Sequence, residues 1–170
     1  KVSRTHKDLV KRLFELEVPE VYDGTVEIKA ISREAGSRTK IAVWSKDKNV
    51  DAVGACIGPK RSRISKIVSE LGGEKIDIIP YSENPEEFVA SALAPAEVVS
   101  AKAAEDGSKS CTVIVPNSQL SLAIGNKGQN AKLAARLTGY KIDIKPSVGH
   151  ENAGGAETSE ENPSEDASNE

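Results

Sequence analysis

Residues 5–17 (THKDLVKRLFELE) place Leu9, Val10, Leu13, Phe14 and Leu16 mostly along one helical stripe, with charged residues between them. That spacing predicts an amphipathic helix with Thr5 as its cap, Asp8 at the capping-box position and Pro19 as its stop. From residue 25 the period shortens. Over 25–32 (TVEIKAIS), Val26, Ile28 and Ala30 alternate with Glu27 and Lys29, the two-residue repeat of a strand with one buried face. Gly36-Ser37 predicts a turn, and 40–45 (KIAVWS) the returning strand. A short helix near 50–57, a glycine-bounded basic loop, a longer helix near 62–71, the Gly72-Gly73 break and a strand at 75–79 follow.

The same order then recurs. A short helix is expected over 85–93 with Asn84 as a possible cap, then strands at 97–103 and 110–115 with Gly107 in their turn. Helices at 118–124 and 129–138 flank a second glycine-bounded loop, and Gly139 precedes a strand at 141–144. CIGPK at 56–60 stands 67 residues before AIGNK at 123–127, and EKIDI at 74–78 stands 66 before YKIDI at 140–144. Two similar segments in the same order at nearly equal spacing indicate internal duplication. Asp77 and Asp143 recur inside KIDI and read as solvent-facing residues between core isoleucines, ahead of any direct contact with a ligand.

Charge divides the chain in two. The total of 23 Lys and Arg against 26 Asp and Glu gives −3, but seven of those acids lie in 151–170, which has no Lys or Arg. Residues 1–150 therefore carry +4. Residues 147–170 have Val148 as their single large apolar side chain and are expected to form a disordered acidic tail. No apolar run approaches the ~18 residues of a membrane span, and no signal peptide is evident. Lys1 rather than Met opens the chain, which reads as an excised or processed piece. Cys56 and Cys111 have no CxxC spacing and read as buried thiols in a reducing, cytoplasmic compartment. His6 and His150 form no metal site or dyad, so neither metal nor cofactor is expected.

In each copy a helix ends at Ile-Gly and a new helix begins after a Lys. Helix starts present unpaired N–H groups and a positive dipole end, and a glycine lets a phosphate backbone approach. Gly125-Asn126-Lys127-Gly128 has the form of the GxxG loop that clamps nucleotide backbones in KH domains. Neither loop fits GxxxxGK[ST] or GxGxxG, and no catalytic constellation is evident, so an enzyme is not expected.

The stretches at 14–43, DAVGACIG (51–58), SELGGEKIDI (69–78), FVASALAPAEV (88–98) and LAIGNKGQNAKLAARLTGYKIDI (122–144) resemble the tandem KH region of the bacterial NusA family. The resemblance implies an α+β fold of two type II KH domains, over 1–81 and 82–146, each a three-stranded sheet with helices on one face. It implies one continuous groove for single-stranded nascent RNA, and a parent protein with polymerase-binding and S1 domains that this chain lacks. The second loop carries over cleanly, with Gly125, Asn126, Lys127 and Gly128 meeting phosphates and Gln129 and Asn130 reaching sugar or base. Ile124 is expected either on the groove floor or in the core.

The first loop (Ile57, Gly58, Pro59, Lys60, Arg61, Ser62, Arg63) departs from the family, with Arg61 where a second glycine is usual. Arg disfavours φ > 0 and close approach, yet adds a fork suited to phosphate, with Arg63 nearby. Retained but altered binding is expected. Aromatic residues are scarce, so aliphatic packing and base-edge hydrogen bonds should outweigh stacking, and Trp44 is assigned to core or interface packing. The rival readings are a docking module for RNA polymerase or other elongation factors, and a ribosomal or GTPase-associated KH protein, against which EVPEV and ALAPAEV count. The chain is expected to act as a monomer.

Overall fold

The structure is a computed structural model that describes residues 6–147. Thr5, and the tail expected from 147 onward except Ser147, lie outside the described residues. Helix α1 spans Lys7–Glu17 and buries Val10 and Phe14. Its cap is His6 rather than Thr5: the His6 Nδ1 accepts from the Asp8 N–H at 3.1 Å. Val18 leaves the helix in extended conformation, and Pro19 opens the short helix α2 (Pro19–Tyr22), where its missing N–H costs nothing.

Strands β1 (Val26–Glu34), β2 (Arg38–Ser45) and β3 (Lys75–Pro80) form the first sheet in that order, β1 antiparallel to β2 and β2 parallel to β3. Between β2 and β3 the chain runs through helices α3 (Ala52–Ile57) and α4 (Ser62–Glu70). The second copy repeats the plan. It comprises α5 (Pro85–Ala92), β4 (Ser100–Ala103), β5 (Ser110–Val115), α6 (Leu120–Ile124), α7 (Gln129–Thr138) and β6 (Lys141–Pro146). Its sheet is ordered β4-β5-β6, antiparallel then parallel. Asn84 does cap α5, its Oδ1 accepting from the Glu86 N–H at 3.0 Å. The expected strand from 97 begins later, because the Glu97 N–H is taken by the Gln119 side chain at 3.0 Å and pairing starts with Val99 donating to Ile114 O at 2.7 Å.

The alternation expected in β1 is broken. Ile28 pairs with Val43 and Ala30 with Ala42, so Lys29 is an extra residue in the ladder. Val26, Ile28 and Ile31 therefore pack on the helical side, while Ala30 turns to the opposite face. One inserted residue reverses every later side chain, which is what a bulge does.

That opposite face is covered by the second domain. Ala42 and Ile79 belong to one buried cluster with Phe88, Val89, Leu93, Val113 and Leu137. A sheet covered on both faces needs nearly continuous apolar strands, and β2 is buried from Thr39 through Val43. Lys40 sits in this seam with no exposed surface, its Nζ donating to Asp77 Oδ2 at 2.9 Å and to Ala94 O at 2.7 Å. Burial pushes the Lys40 ammonium below its ordinary range, against the opposing pull of Asp77. Arg38 grips the same carboxylate through Nε at 2.8 Å and Nη2 at 3.1 Å.

Asp77 is thus a paired residue of the domain seam and not solvent-facing, with 14% of its side chain exposed. Its partner in the duplication, Asp143, fits the expectation at 61%. The difference lies across the ladder: Asp77 pairs with Lys40, whereas Asp143 pairs with Thr112. A second buried ion pair joins Glu74 to Arg33, with Nε and Nη2 both at 2.9 Å, while Thr39 Oγ1 and the Gly36 N–H also donate to the carboxylate.

Candidate nucleic-acid interface

The two glycine-bounded loops have the same backbone. Each first helix ends by closing onto a glycine, Gly58 N–H to Gly54 O at 2.9 Å and Gly125 N–H to Ser121 O at 2.8 Å. Gly58 then takes φ 79°, ψ 167° and Gly125 φ 84°, ψ 168°, a region reserved for glycine. Single 3-10 turns follow, Pro59–Arg61 and Asn126–Gly128, closed by Arg61 N–H to Gly58 O and Gly128 N–H to Gly125 O, each at 3.0 Å.

Lys60 (φ 52°) and Lys127 (φ 56°) are both left-handed, as are Arg61 (φ 62°) and Gly128 (φ 76°). Arg61 therefore does not forbid the positive φ it was expected to disfavour; it adopts the conformation of its glycine counterpart. Space explains why it is admitted. A Cβ built on Gly128 meets nothing nearer than Lys132 Cε at 3.7 Å, whereas one built on Gly125 would lie 2.6 Å from the Asn130 backbone nitrogen.

Neither α4 nor α7 is capped by a side chain, although the first amide of each, Ser62 N–H and Gln129 N–H, already donates to Pro59 O and Asn126 O within its 3-10 turn. Around these amides Pro59, Lys60, Arg61, Ser62, Asn126 and Lys127 are exposed, and Gly58, Gly125 and Gly128 half-buried. Ile57 packs against the first core, while Ile124 stays outside both cores and is 37% exposed. Beside the first loop, Ile57, Arg61, Ile64, Ile76, Asp77, Ile78 and Ala94 line a cleft of about 230 Å³. Of these lining residues, the strand isoleucines, Ile64 and Ala94 were not singled out from sequence; the repeated KIDI was the available signal.

Three expected contact residues are engaged by other groups of the protein. Arg63 donates through Nη1 to Glu20 Oε1 at 2.9 Å and to Ala55 O at 2.7 Å. Asn130, one duplication offset away, is 2% exposed and donates to Ala123 O at 2.8 Å and Leu93 O at 3.0 Å. Both satisfy carbonyls left open where the preceding helix ends, and in neither does the amide or guanidinium face outward for sugar or base. Gln129 reaches across the seam instead, its Nε2 donating to Ser37 Oγ at 2.7 Å and Glu34 Oε1 at 3.1 Å. Trp44 is at the surface rather than in a core, 39% exposed with Lys29 Nζ at 4.8 Å from its ring centre.

Cys56 is fully buried beside the first loop, and burial together with the Glu20 charge pushes its thiol up to about 12. Burial also raises the Cys111 thiol. Among the described residues no group of three or more His, Cys, Asp or Glu is placed to hold a metal ion, and no helix is long and apolar enough to cross a membrane.

Comparison with known proteins places this geometry in a family. The family described as the NusA-like first KH domain matches residues 4–81, and the NusA-like second KH domain matches 85–152. The transcription termination/antitermination protein NusA of Bacillus subtilis is 62% identical over 144 residues, covering 85% of this chain and 38% of that protein. The same-named proteins of Mycobacterium tuberculosis and Thermus thermophilus are 58% and 52% identical, each over 85% of this chain and covering 42% and 37% of theirs. The chain thus spans less than half the length of these curated relatives. A solved structure titled "Crystal structure of APE1850" shares the fold at a TM-score of 0.58 and 23% identity, covering 81% of this chain and 96% of that one.

Proposed function

Because the chain belongs to the NusA family and carries its first and second KH domains, we propose that it binds single-stranded RNA through the two glycine-bounded loops and so serves transcription elongation, pausing, termination and antitermination. The observation that carries this reading is the duplicated loop itself. Two helix starts have the same left-handed approach, no side-chain cap, and an exposed Lys60 or Lys127 at the positive end of the helix dipole. Two such anion sites held on one rigid pair of sheets suit a ligand with phosphates at intervals, which is a nucleic-acid strand. Single strands are favoured because grooves beside KH loops read unstacked bases.

The domains assigned to this work are 1–81 and 82–146. Contacts are assigned to Gly58, Pro59, Lys60, Arg61, Ser62, Gly125, Asn126, Lys127 and Gly128, with Ile57 and Ile124 as apolar neighbours. Arg63, Asn130 and Gln129 act by holding the loops and the seam. No reaction is assigned. The protein works in the bacterial cytoplasm as a monomer, with RNA polymerase and other transcription factors as partners of the full-length protein.

The double substitution Asn126→Asp, Lys127→Glu tests the assignment, since it adds like charge beside phosphates without touching the core. Binding of a dozen-nucleotide single-stranded RNA should fall at least tenfold at moderate salt while the circular dichroism melt is unchanged. Wild-type affinity in that variant would sink the loop assignment and favour the docking reading.

A further inference from the structure

The two loops differ at two positions, Pro59 against Asn126 and Arg61 against Gly128. Gly128 of the second copy is matched in the first by Arg61, and both are left-handed at φ 76° and 62°. Arg61 is exposed, and its guanidinium has neither a hydrogen bond nor an ion pair among the described residues. It nonetheless borders a structured space: with Ile57, Ile64, Ile76, Ile78 and Ala94 it lines the cleft of about 230 Å³ between α3, α4 and β3, the outer strand of its sheet. The other charged group there, Asp77, is already held by Arg38 and Lys40. The cleft therefore combines aliphatic walls with a paired carboxylate and one uncommitted planar cation.

A phosphate has no use for such a lining, whereas a nucleobase does. Its flat faces pack on aliphatic side chains, and its π-system is attracted to a guanidinium stacked upon it. We infer that Arg61 contacts a base directly, stacking its guanidinium on a nucleobase lodged against the isoleucines of this cleft. The second loop, with Gly128, has no side chain to make that contact. Arg61 thus gives the first domain a base-recognising element in place of the usual glycine, and this inference rests on the RNA-binding reading above.

Three proteins decide the matter: wild type, Arg61→Gly and Arg61→Lys. Arg61→Gly supplies the residue the second loop already uses at that φ, so folding is preserved and checked by thermal melt. Arg61→Lys keeps the charge and loses the plane. Each is titrated with single-stranded RNA twelve nucleotides long, intact or with one abasic nucleotide stepped along it. Wild type should weaken about fivefold when the abasic nucleotide occupies one particular position. Both variants should bind intact RNA about fivefold more weakly and lose sensitivity at that position, with the slope of log affinity against log salt unchanged. The inference is overturned if Arg61→Lys binds as wild type does, or if Arg61→Gly shallows the salt slope by about 0.7, the mark of a lost phosphate contact. Wild-type RNA binding with no effect of Arg61 overturns this inference alone; no RNA binding by wild type overturns the RNA reading as well.

Discussion

The loops assign different duties to their two glycine positions. At Gly125 the backbone is at φ 84°, ψ 168°, and an added Cβ would sit 2.6 Å from the Asn130 nitrogen and 2.8 Å from its Cβ. Backbone strain and overpacking then act together, so Gly125→Ala should cost about 2–5 kcal/mol in urea denaturation. Gly128 has room for a side chain and only the left-handed conformation to answer for. Gly128→Ala should cost about 1–2 kcal/mol, and equal losses at the two sites would refute this division. The exposed Lys60, Arg61 and Lys127 accept the same conformation, which places a modest strain where the ligand is expected.

Glu74 makes a second residue-scale case. Burial alone would raise its pKa, but hydrogen bonds from Arg33, Thr39 and the Gly36 N–H, with the Arg33 charge, hold it below the usual 4.5. A carboxylate depressed in the folded state stabilises fully above the unfolded value and loses that contribution as pH falls through the folded one. Glu74→Gln leaves Arg33 buried without its charge partner and should cost about 3–5 kcal/mol at pH 7. The gap from wild type should narrow as pH drops below 4.5, which chemical denaturation across pH 3–7 reads directly; a gap independent of pH would mean that the carboxylate charge is not what matters.

At the scale of elements, most of the order was legible. The 3.6 and 2.0 periods located α1, β2, α4, β5 and α7 within a residue or two, because each buries a stripe or a face against something local. The bulge at Lys29 was not legible, since a strand of Val, Glu, Ile, Lys and Ala alternates equally well with or without an extra residue. Nor was the second covering of the first sheet. Lys40 is fully buried there, with Asp77 Oδ2 and Ala94 O receiving its ammonium, partners 37 and 54 residues away that no local pattern announces. Lys40→Met removes a donor that both domains use. It should lower stability by about 1–3 kcal/mol, and calorimetry should still show one transition, since Ala42 and Ile79 share a core with the second domain. Two resolved transitions in wild type would break this account of the seam.

For the molecule as a whole, the division of charge is the feature sequence exposes most plainly. Residues 1–150 at +4 are followed by seven acids in 151–170, and competition of that segment with a polyanion is a hypothesis that the charge split motivates beside the plainer reading of a solvated extension. Removal of 151–170 should tighten RNA binding at low salt and do little at high salt, as screening predicts. Unchanged affinity at low salt would dismiss competition by that segment.

The amino-acid sequence by itself determined the duplication, the order of elements in each copy, the GxxG-type loops and their position at helix starts. These follow from local periodicity and from residue types whose conformational demands are local. Tertiary structure alone decided which residues at those loops remain open to a ligand. Arg63, Asn130 and Gln129 have the chemistry of nucleic-acid contacts, yet each is claimed by a carbonyl, carboxylate or hydroxyl brought close by folding. Hydrogen-bonding groups take whatever partner burial places beside them, and that partner lies up to 95 residues away along the chain. Arg61, matched to a glycine, is the one whose meaning changed most on folding: a departure from the family pattern became a guanidinium unpaired among the described residues, beside a cleft with aliphatic walls.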